Sequence, residues 1–317
     1  MGRKRGAVWN EFTELPESDD PQMKMPRVEC KHCKTSLSKS SSRAVSHLRA
    51  CPKFVGDLPD ANDNEDRHTD PFAPHIPFIR EDNGKKYHPV SRMIDHTLLK
   101  ADATADDIAV LCREAVENCF HSVCVNGIYA SHARQVLQAY ETKRNKPRQV
   151  KVCCVVGFPL GASTSEVKAF EASQYIEDGA DEIDMVIAIG KLKSGDHAYV
   201  VRDISAVVSV CKRKSVLCKA ILETALLTEN EIETASRLAI SAGVDFIKTS
   251  TGFSSRGASV HDVMTMTRLA RPHNIQVKAS GGIRTEDDAE EMIQAGATRL
   301  GTSAGLVITK RDRMSLI

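Results

Sequence analysis

From about residue 88 onward, the chain alternates between two textures. Short apolar runs, each interrupted by one or two polar positions, read as buried strands at 91–95, 122–126, 150–157, 182–189, 215–223, 246–249, 276–280 and 299–302. Between them lie longer stretches whose apolar residues recur every three or four positions, as on one face of a helix. These fall at 104–118, 128–143, 164–178, 198–212, 228–242, 260–271 and 285–295. Several begin with a hydroxyl residue just before a carboxylate: Thr164 before Glu166, Thr228 before Glu231, Thr285 before Asp288. That order predicts capped helix starts. A last helix after Ser303 is expected to be short, Ile317 being the final residue. Eight strand–helix units predict an α/β chain closed as a (β/α)8 TIM barrel over residues 88–317. A doubly wound sheet is the alternative. The absence of a G-x-G-x-x-G turn after any strand weakens it.

Residues 1–87 lack this alternation and carry a different signal. Cys30, Cys33, His47 and Cys51 stand in the pattern C-x2-C-x13-H-x3-C. Two pairs of soft ligands at these spacings suit tetrahedral zinc. His47 and Cys51 are four apart, so a helix puts both on one face. A segment this small needs a metal or another staple to fold. A redox pair at C-x2-C is the competing reading, but no βαβ pattern surrounds it. Residues 56–87 are rich in Asp and Pro and show no period, which predicts a disordered acidic linker. The expected organisation is therefore a zinc-binding domain at 1–55, a flexible linker at 56–87 and a barrel at 88–317.

Charge sharpens this division. The whole chain has a formal charge of +1, which argues against general affinity for nucleic acid or membranes. The average hides eleven Lys/Arg against six Asp/Glu in residues 1–56, followed by six Asp/Glu against Arg67 alone in residues 57–75. No apolar run approaches the roughly 18 residues of a membrane span. The basic start, Arg3-Lys4-Arg5, has no apolar segment behind it, as a secretory signal would. Ten cysteines, several of them inside apolar strands (Cys124, Cys153, Cys154, Cys218), suit reduced thiols in a cytoplasmic or nuclear compartment.

The candidate chemistry sits at strand ends. In Phe246-Ile247-Lys248-Thr249-Ser250-Thr251-Gly252-Phe253, and again in Val277-Lys278-Ala279-Ser280-Gly281-Gly282-Ile283-Arg284, an apolar strand delivers a lysine and then breaks into a glycine-bearing loop. Burial and a second cation both favour a neutral amine, and a neutral amine attacks carbonyls. Bare backbone N–H groups in the glycine loops can hold a phosphate. In a barrel, the site lies where strands end and βα loops begin. Polar residues expected there include Asp95 and Thr97 after the first strand, Asp184 facing inward from the fourth, Lys219 and Glu223 in the fifth, and Ser303 after the eighth.

Residues 88–310 resemble the 2-deoxyribose-5-phosphate aldolases, which are class I aldolases. The resemblance rests on the two lysine motifs together with Ile94-Asp95-His96-Thr97-Leu98-Leu99, Ser122-Val123-Cys124-Val125-Asn126, Val156-Gly157-Phe158-Pro159-Leu160-Gly161 and Ala180-Asp181-Glu182-Ile183-Asp184-Met185-Val186. It implies a cofactor-free cleavage of 2-deoxy-D-ribose 5-phosphate to D-glyceraldehyde 3-phosphate and acetaldehyde, in deoxyribonucleotide catabolism. Lys248 matches the Schiff-base lysine, Lys278 the second lysine and Asp184 the partner aspartate. Asp95 and Thr97 match substrate-hydroxyl and relay positions. Gly252, Gly281, Gly282 and Ser303 match the phosphate cradle, with Arg284 nearby. Some members end in a tyrosine-bearing tail, whereas here no tyrosine follows Tyr199. The expected partner is a small sugar phosphate, with self-association through the barrel left open.

Residues 7–53 resemble a BED-type zinc finger, through Trp9 and Phe12 and then Cys30, Cys33, His47 and Cys51. That implies a structural zinc and a DNA- or chromatin-binding module within residues 1–55, with Lys39, Arg43 and Arg49 available to phosphates. It also supplies the alternative function: a DNA- or chromatin-binding factor with a catalytically silent barrel.

Overall fold

The structure is a computed structural model. It describes residues 12–14, 27–31, 34, 36–38, 90–143 and 150–310. The chain divides into two units, Met1–Ala73 and Pro74–Ile317. In the first, Phe12–Glu14, Arg27–Cys30 and Ser36–Ser38 form an antiparallel three-stranded sheet with Arg27–Cys30 in the middle. After Cys30 the chain turns back. The Lys34 N–H donates to the Cys30 carbonyl over 3.0 Å, and Lys34 is left-handed at φ 64°. Cys30 is buried. The other expected zinc ligands, Cys33, His47 and Cys51, lie outside the described residues, as does the linker 56–87.

The second unit is the expected barrel. Its strands are β1 (Ile94–Leu98), β2 (Ser122–Val125), β3 (Lys151–Val156), β4 (Glu182–Val186), β5 (Leu217–Ile221), β6 (Phe246–Lys248), β7 (Gln276–Ser280) and β8 (Arg299–Thr302). All pair in parallel with their sequence neighbours, and β8 closes on β1 with Gly301 opposite Asp95. The intervening helices are α1 (Ala105–Glu117), α2 (Ala130–Lys143), α3 (Ser165–Glu177), α4 (His197–Arg213), α5 (Glu229–Ala242), α6 (Val260–Ala270), α7 (Glu286–Gln294) and the single turn α8 (Gly305–Ile308). Thr104, Thr228 and Thr285 form full capping boxes with Asp107, Glu231 and Asp288, and Thr164 caps α3 through the Val167 N–H.

Period-two alternation splits each strand between two environments. Outward residues such as Val123, Val152, Cys154, Ile183, Met185, Ile247, Val277 and Leu300 join helix residues such as Ile108, Leu111, Ile204, Val207 and Met266 in one buried apolar shell. Burying each large aliphatic side chain contributes about 1.5–3 kcal/mol, so this shell holds the fold together. The charged residues of the strands face inward, beside a small separate apolar cluster of Leu99, Cys124, Cys153 and Val155.

Three strands shift at a boundary by two residues or more; one is β5, which runs only from Leu217 to Ile221, so Glu223 lies beyond it and not within it. Ser91–Met93 form a 3-10 turn, and the first strand begins at Ile94, so Asp95 and Thr97 lie within it and not after it. A polar inner face makes a strand interior resemble a strand end when only hydropathy is read. The apolar run 182–189 also overshoots: β4 stops at Val186, and Ile189–Lys193 form a short helix.

Candidate active site

Among the described residues, seven charged side chains line the inner wall, stacked from the amino-terminal end of the barrel toward the carboxyl end. Glu182 and Arg299 open their strands and lie lowest. Asp95, Lys219, Asp184 and Lys278 follow, and Lys248 ends β6 at the top. All seven are buried, Lys248 at 3% exposure. The hub is Asp184. Its Oδ2 accepts from Lys248 Nζ and from Lys278 Nζ, each over 2.8 Å, and its Oδ1 accepts from Lys219 Nζ over 2.6 Å and from the Cys153 thiol over 3.2 Å. Lys278 also donates to Asp95 Oδ2. Asp95 Oδ1 takes Arg299 at 2.8 Å and the Ser122 hydroxyl at 2.7 Å. Glu182 receives Lys219 at 2.6 Å, Arg299 at 3.0 Å and the half-buried His121 at 2.9 Å.

These contacts fix most of the charge states. Burial would raise the Asp184 carboxyl, but Lys219, Lys248 and Lys278 outweigh it and hold the group well below the usual carboxylate range. Asp95 is depressed in the same way, burial being overcome by Arg299 and Lys278. In Glu182, burial is overcome chiefly by Lys219. Burial pushes Lys278 and Lys219 down, yet the surrounding carboxylates, Asp184 foremost, carry both above the ordinary lysine value. Four cations thus face three carboxylates. Lys219 touches Asp184 and Glu182, Lys278 touches Asp95 and Asp184, and Arg299 touches Asp95 and Glu182. Lys248 touches Asp184 alone. An uncompensated buried charge is costly, and the surplus falls on Lys248.

The loops beyond the two lysines are locked together. The Thr249 N–H donates to the Lys278 carbonyl over 3.1 Å, the Ser280 N–H to Thr249 Oγ1 over 3.1 Å, and the Ser280 hydroxyl to the Ser250 carbonyl over 2.6 Å. Gly252, Gly281 and Gly282 follow with φ of 88°, 81° and 80°, which only glycine adopts freely. Gly301 has a separate purpose. A Cβ there would lie 3.0 Å from Lys278 Cε and 2.9 Å from Ser280 Cβ, so the bare backbone makes room for the lysine to cross the barrel. No other described residue accepts from the N–H groups of Gly252, Gly281, Gly282 or Ser303. Gly252, Gly282 and Ser303 are exposed.

The structure therefore brings Lys248, Asp184 and Lys278 into direct contact. Asp95 joins them from beneath, through Lys278. Thr97 donates its hydroxyl to the Asp95 carbonyl over 2.8 Å. Arg284 is exposed at the start of α7, its N–H donating to Asp288. Cys124 is buried opposite Cys153, whose thiol hydrogen bond lowers it against the opposing effect of burial. Glu182, Arg299 and Ser122 complete the network, and the sequence reading did not single them out. The available signal was a charge two positions from Asp184 on the same strand face, and a charge opening an otherwise apolar strand. A cavity of about 660 Å³, lined by His121, Lys151, Lys214 and Arg299 among others, opens at the opposite, amino-terminal end of the barrel.

A closed parallel barrel with amines converging on one buried carboxylate has the architecture of a TIM-barrel enzyme. Residues 90–311 match the DeoC/LacD family aldolase, and the chain belongs to that family. It is 52% identical over 224 residues to the deoxyribose-phosphate aldolase of Halalkalibacterium halodurans, covering 71% of this chain and 96% of that one. It is 53% identical over 221 residues to the deoxyribose-phosphate aldolase of a Geobacillus species, covering 70% and 95%. Among solved structures, the tetrameric deoxyribose phosphate aldolase from Aeropyrum pernix is similar with a TM-score of 0.62 at 34% identity, covering 69% of this chain and 89% of that one. These matches lie on the barrel.

Proposed function

We propose that the barrel cleaves 2-deoxy-D-ribose 5-phosphate to D-glyceraldehyde 3-phosphate and acetaldehyde through an imine on Lys248. The observation that carries this is the charge count: among the described residues, of the four cations on the inner wall Lys248 alone has a single carboxylate contact, and that carboxylate oxygen is shared with Lys278. Turning this amine into a substrate imine therefore breaks the fewest ion pairs. Neutral Lys248 Nζ adds to the C1 aldehyde of the open-chain sugar, and loss of water leaves an iminium. The C3 hydroxyl gives up its proton and the C2–C3 bond breaks. Its electron pair moves into the iminium to form an enamine, and glyceraldehyde 3-phosphate departs. Protonation at C2 and hydrolysis release acetaldehyde and restore the amine.

Lys278 stays cationic and Asp184 anionic throughout, so they form a fixed electrostatic frame around the reacting nitrogen, with water completing the proton relay. Asp95 acts through Lys278, and Thr97 lies above it on the same face of β1. Gly252, Gly281, Gly282 and Ser303 offer their free N–H groups to the 5-phosphate. No metal takes part in this scheme. Borohydride reduction in the presence of deoxyribose 5-phosphate should trap a covalent adduct on Lys248, read by peptide mass spectrometry, and Lys248→Ala should trap none. An adduct on Lys219 or Lys278 would reassign the nucleophile.

We also propose that Cys30, Cys33, His47 and Cys51 hold one structural zinc, and that residues 1–55 bind DNA. In support, Cys30 is buried at the end of the central strand, where the chain folds back so that the Lys34 N–H reaches its carbonyl. A C-x2-C ligand pair needs such a turn. Metal analysis of the purified chain should find about one zinc per molecule, absent in Cys30→Ser. Duplex DNA should be retained at low salt and released as salt rises. A zinc-free wild-type protein would end the metal reading.

A further inference from the structure

Glu223 is buried, at 2% exposure, just beyond the end of β5. Its backbone is left-handed, φ 58° and ψ 64°, an unfavourable conformation for a residue with a Cβ. Two hydrogen bonds on either side hold it there: the Leu222 N–H donates to the Lys248 carbonyl and the Thr224 N–H to the Thr249 carbonyl, both over 2.9 Å. Among the described residues no cation faces its carboxylate. Oε2 accepts from the Thr251 hydroxyl and, over 3.3 Å, from the Thr251 N–H, while Oε1 is buried and unbonded. A buried carboxylate with no cation and one idle oxygen is expensive to maintain for packing alone. What it does hold is specific. Thr251 Oγ1 in turn accepts from the Phe253 N–H over 3.1 Å. Glu223 and Thr251 therefore grip both residues that flank Gly252.

We propose that Glu223 is a positioning residue for the substrate phosphate, acting through Thr251 to aim the Gly252 N–H. The inference rests on the phosphate-cradle reading above. Glu223 lies behind the loop and touches neither the phosphate nor the reacting carbon. Because it backs the strand end that carries Lys248, it also ties the phosphate anchor to the nucleophile's own strand, fixing the distance between them.

The test compares kcat and KM for deoxyribose 5-phosphate and for unphosphorylated deoxyribose in the wild type and three variants. In Glu223→Ala and in Thr251→Val, the preference for the phosphorylated sugar should fall about tenfold or more, through a higher KM for that substrate. Glu223→Gln should recover most of it, since the amide oxygen accepts the same two bonds. Thr251→Val keeps the question answerable if Glu223→Ala does not fold. Equal losses on both substrates, or a preference unchanged within about twofold, would overturn the inference. A wild type that does not prefer the phosphorylated sugar would remove the cradle and this inference together. A discriminating wild type with unmoved variants would remove this inference alone.

Discussion

Lys248 and Lys278 stand directly opposite each other on neighbouring parallel strands, and both amines donate to the same oxygen, Asp184 Oδ2. Two full ammonium charges at one buried oxygen repel each other, and only Lys278 has a second carboxylate, Asp95, to hold its proton. Replacing Lys278 with Met removes the cation that joins Asp95 to Asp184 beside the reacting nitrogen, and kcat should fall by about a hundredfold or more. Lys278→Arg, which keeps the charge, should recover part of that loss. Equal losses in the two variants would mean that Lys278 contributes something other than charge.

The space through which Lys278 crosses the barrel makes a second prediction. A methyl group at Gly301 would meet the Lys278 side chain and Ser280 Cβ at about van der Waals overlap. Gly301→Ala should push the amine away from Asp184 and lower kcat by about tenfold to a hundredfold, while far-UV circular dichroism stays native. Gly190 has nothing within 4 Å of a built Cβ, and Gly190→Ala should be kinetically silent. Equal effects of the two substitutions would show that the Gly301 contact is easily relieved.

The same buried charges set the pH range of stability. Asp95, Glu182 and Asp184 have folded values below their ordinary 3.8, 4.5 and 3.8. Their contribution is full above those values and is lost as pH falls through the depressed ones. Lys219 and Lys278 are raised above 10.5, so their contribution is full below that value and is lost only as pH climbs past the raised ones. His96 acts earlier. Its burial lowers it below 6.5 against the pull of Glu114, so the unfolded chain takes up the proton first and stability slips as pH drops through 6.5. Urea midpoints should be flat between about pH 7 and pH 8, should fall above about pH 9 as the unfolded chain ionises thiols that burial keeps protonated at Cys112, Cys153, Cys154 and Cys218, and should fall in two steps toward acid, the first absent in His96→Gln. A single acid step in the wild type would contradict the account of His96.

The fold was legible because the outer faces of β2 to β7 and the helices carry unbroken periodicities, and because threonine caps mark the helix starts. The inner wall was only half legible. Lys248, Lys278 and Asp184 stand out as charges inside apolar strands, but one strand alone cannot show that they share an oxygen. That depends on barrel closure and register, which set Lys278 opposite both Lys248 and Arg299. Glu182 and Arg299 were missed for the same reason: each meets its partners only across the barrel. The first strand was misplaced because Ile94-Asp95-His96-Thr97-Leu98 carries polar residues on its inner face, and a hydropathy reading takes that as a strand ending.

One more buried pair lies outside the catalytic wall. Lys168 of α3 donates to Asp203 of α4 over 2.6 Å, and both side chains are fully buried. The lysine stem also packs beneath Gly157, where a Cβ would come within 2.9 Å of Lys168 Cε. Burial lowers Lys168 and raises Asp203 despite their contact, so for each group desolvation outweighs the attraction of its partner. The pair should then act as an alignment device for the two helices more than as a source of stability. Lys168→Met alone strands a buried carboxylate and should cost about 3–5 kcal/mol in urea unfolding. Lys168→Met combined with Asp203→Leu, which fills the same space with apolar atoms, should recover most of that loss or exceed the wild type. A double variant no more stable than Lys168→Met alone would show that the ion pair does stabilise the barrel.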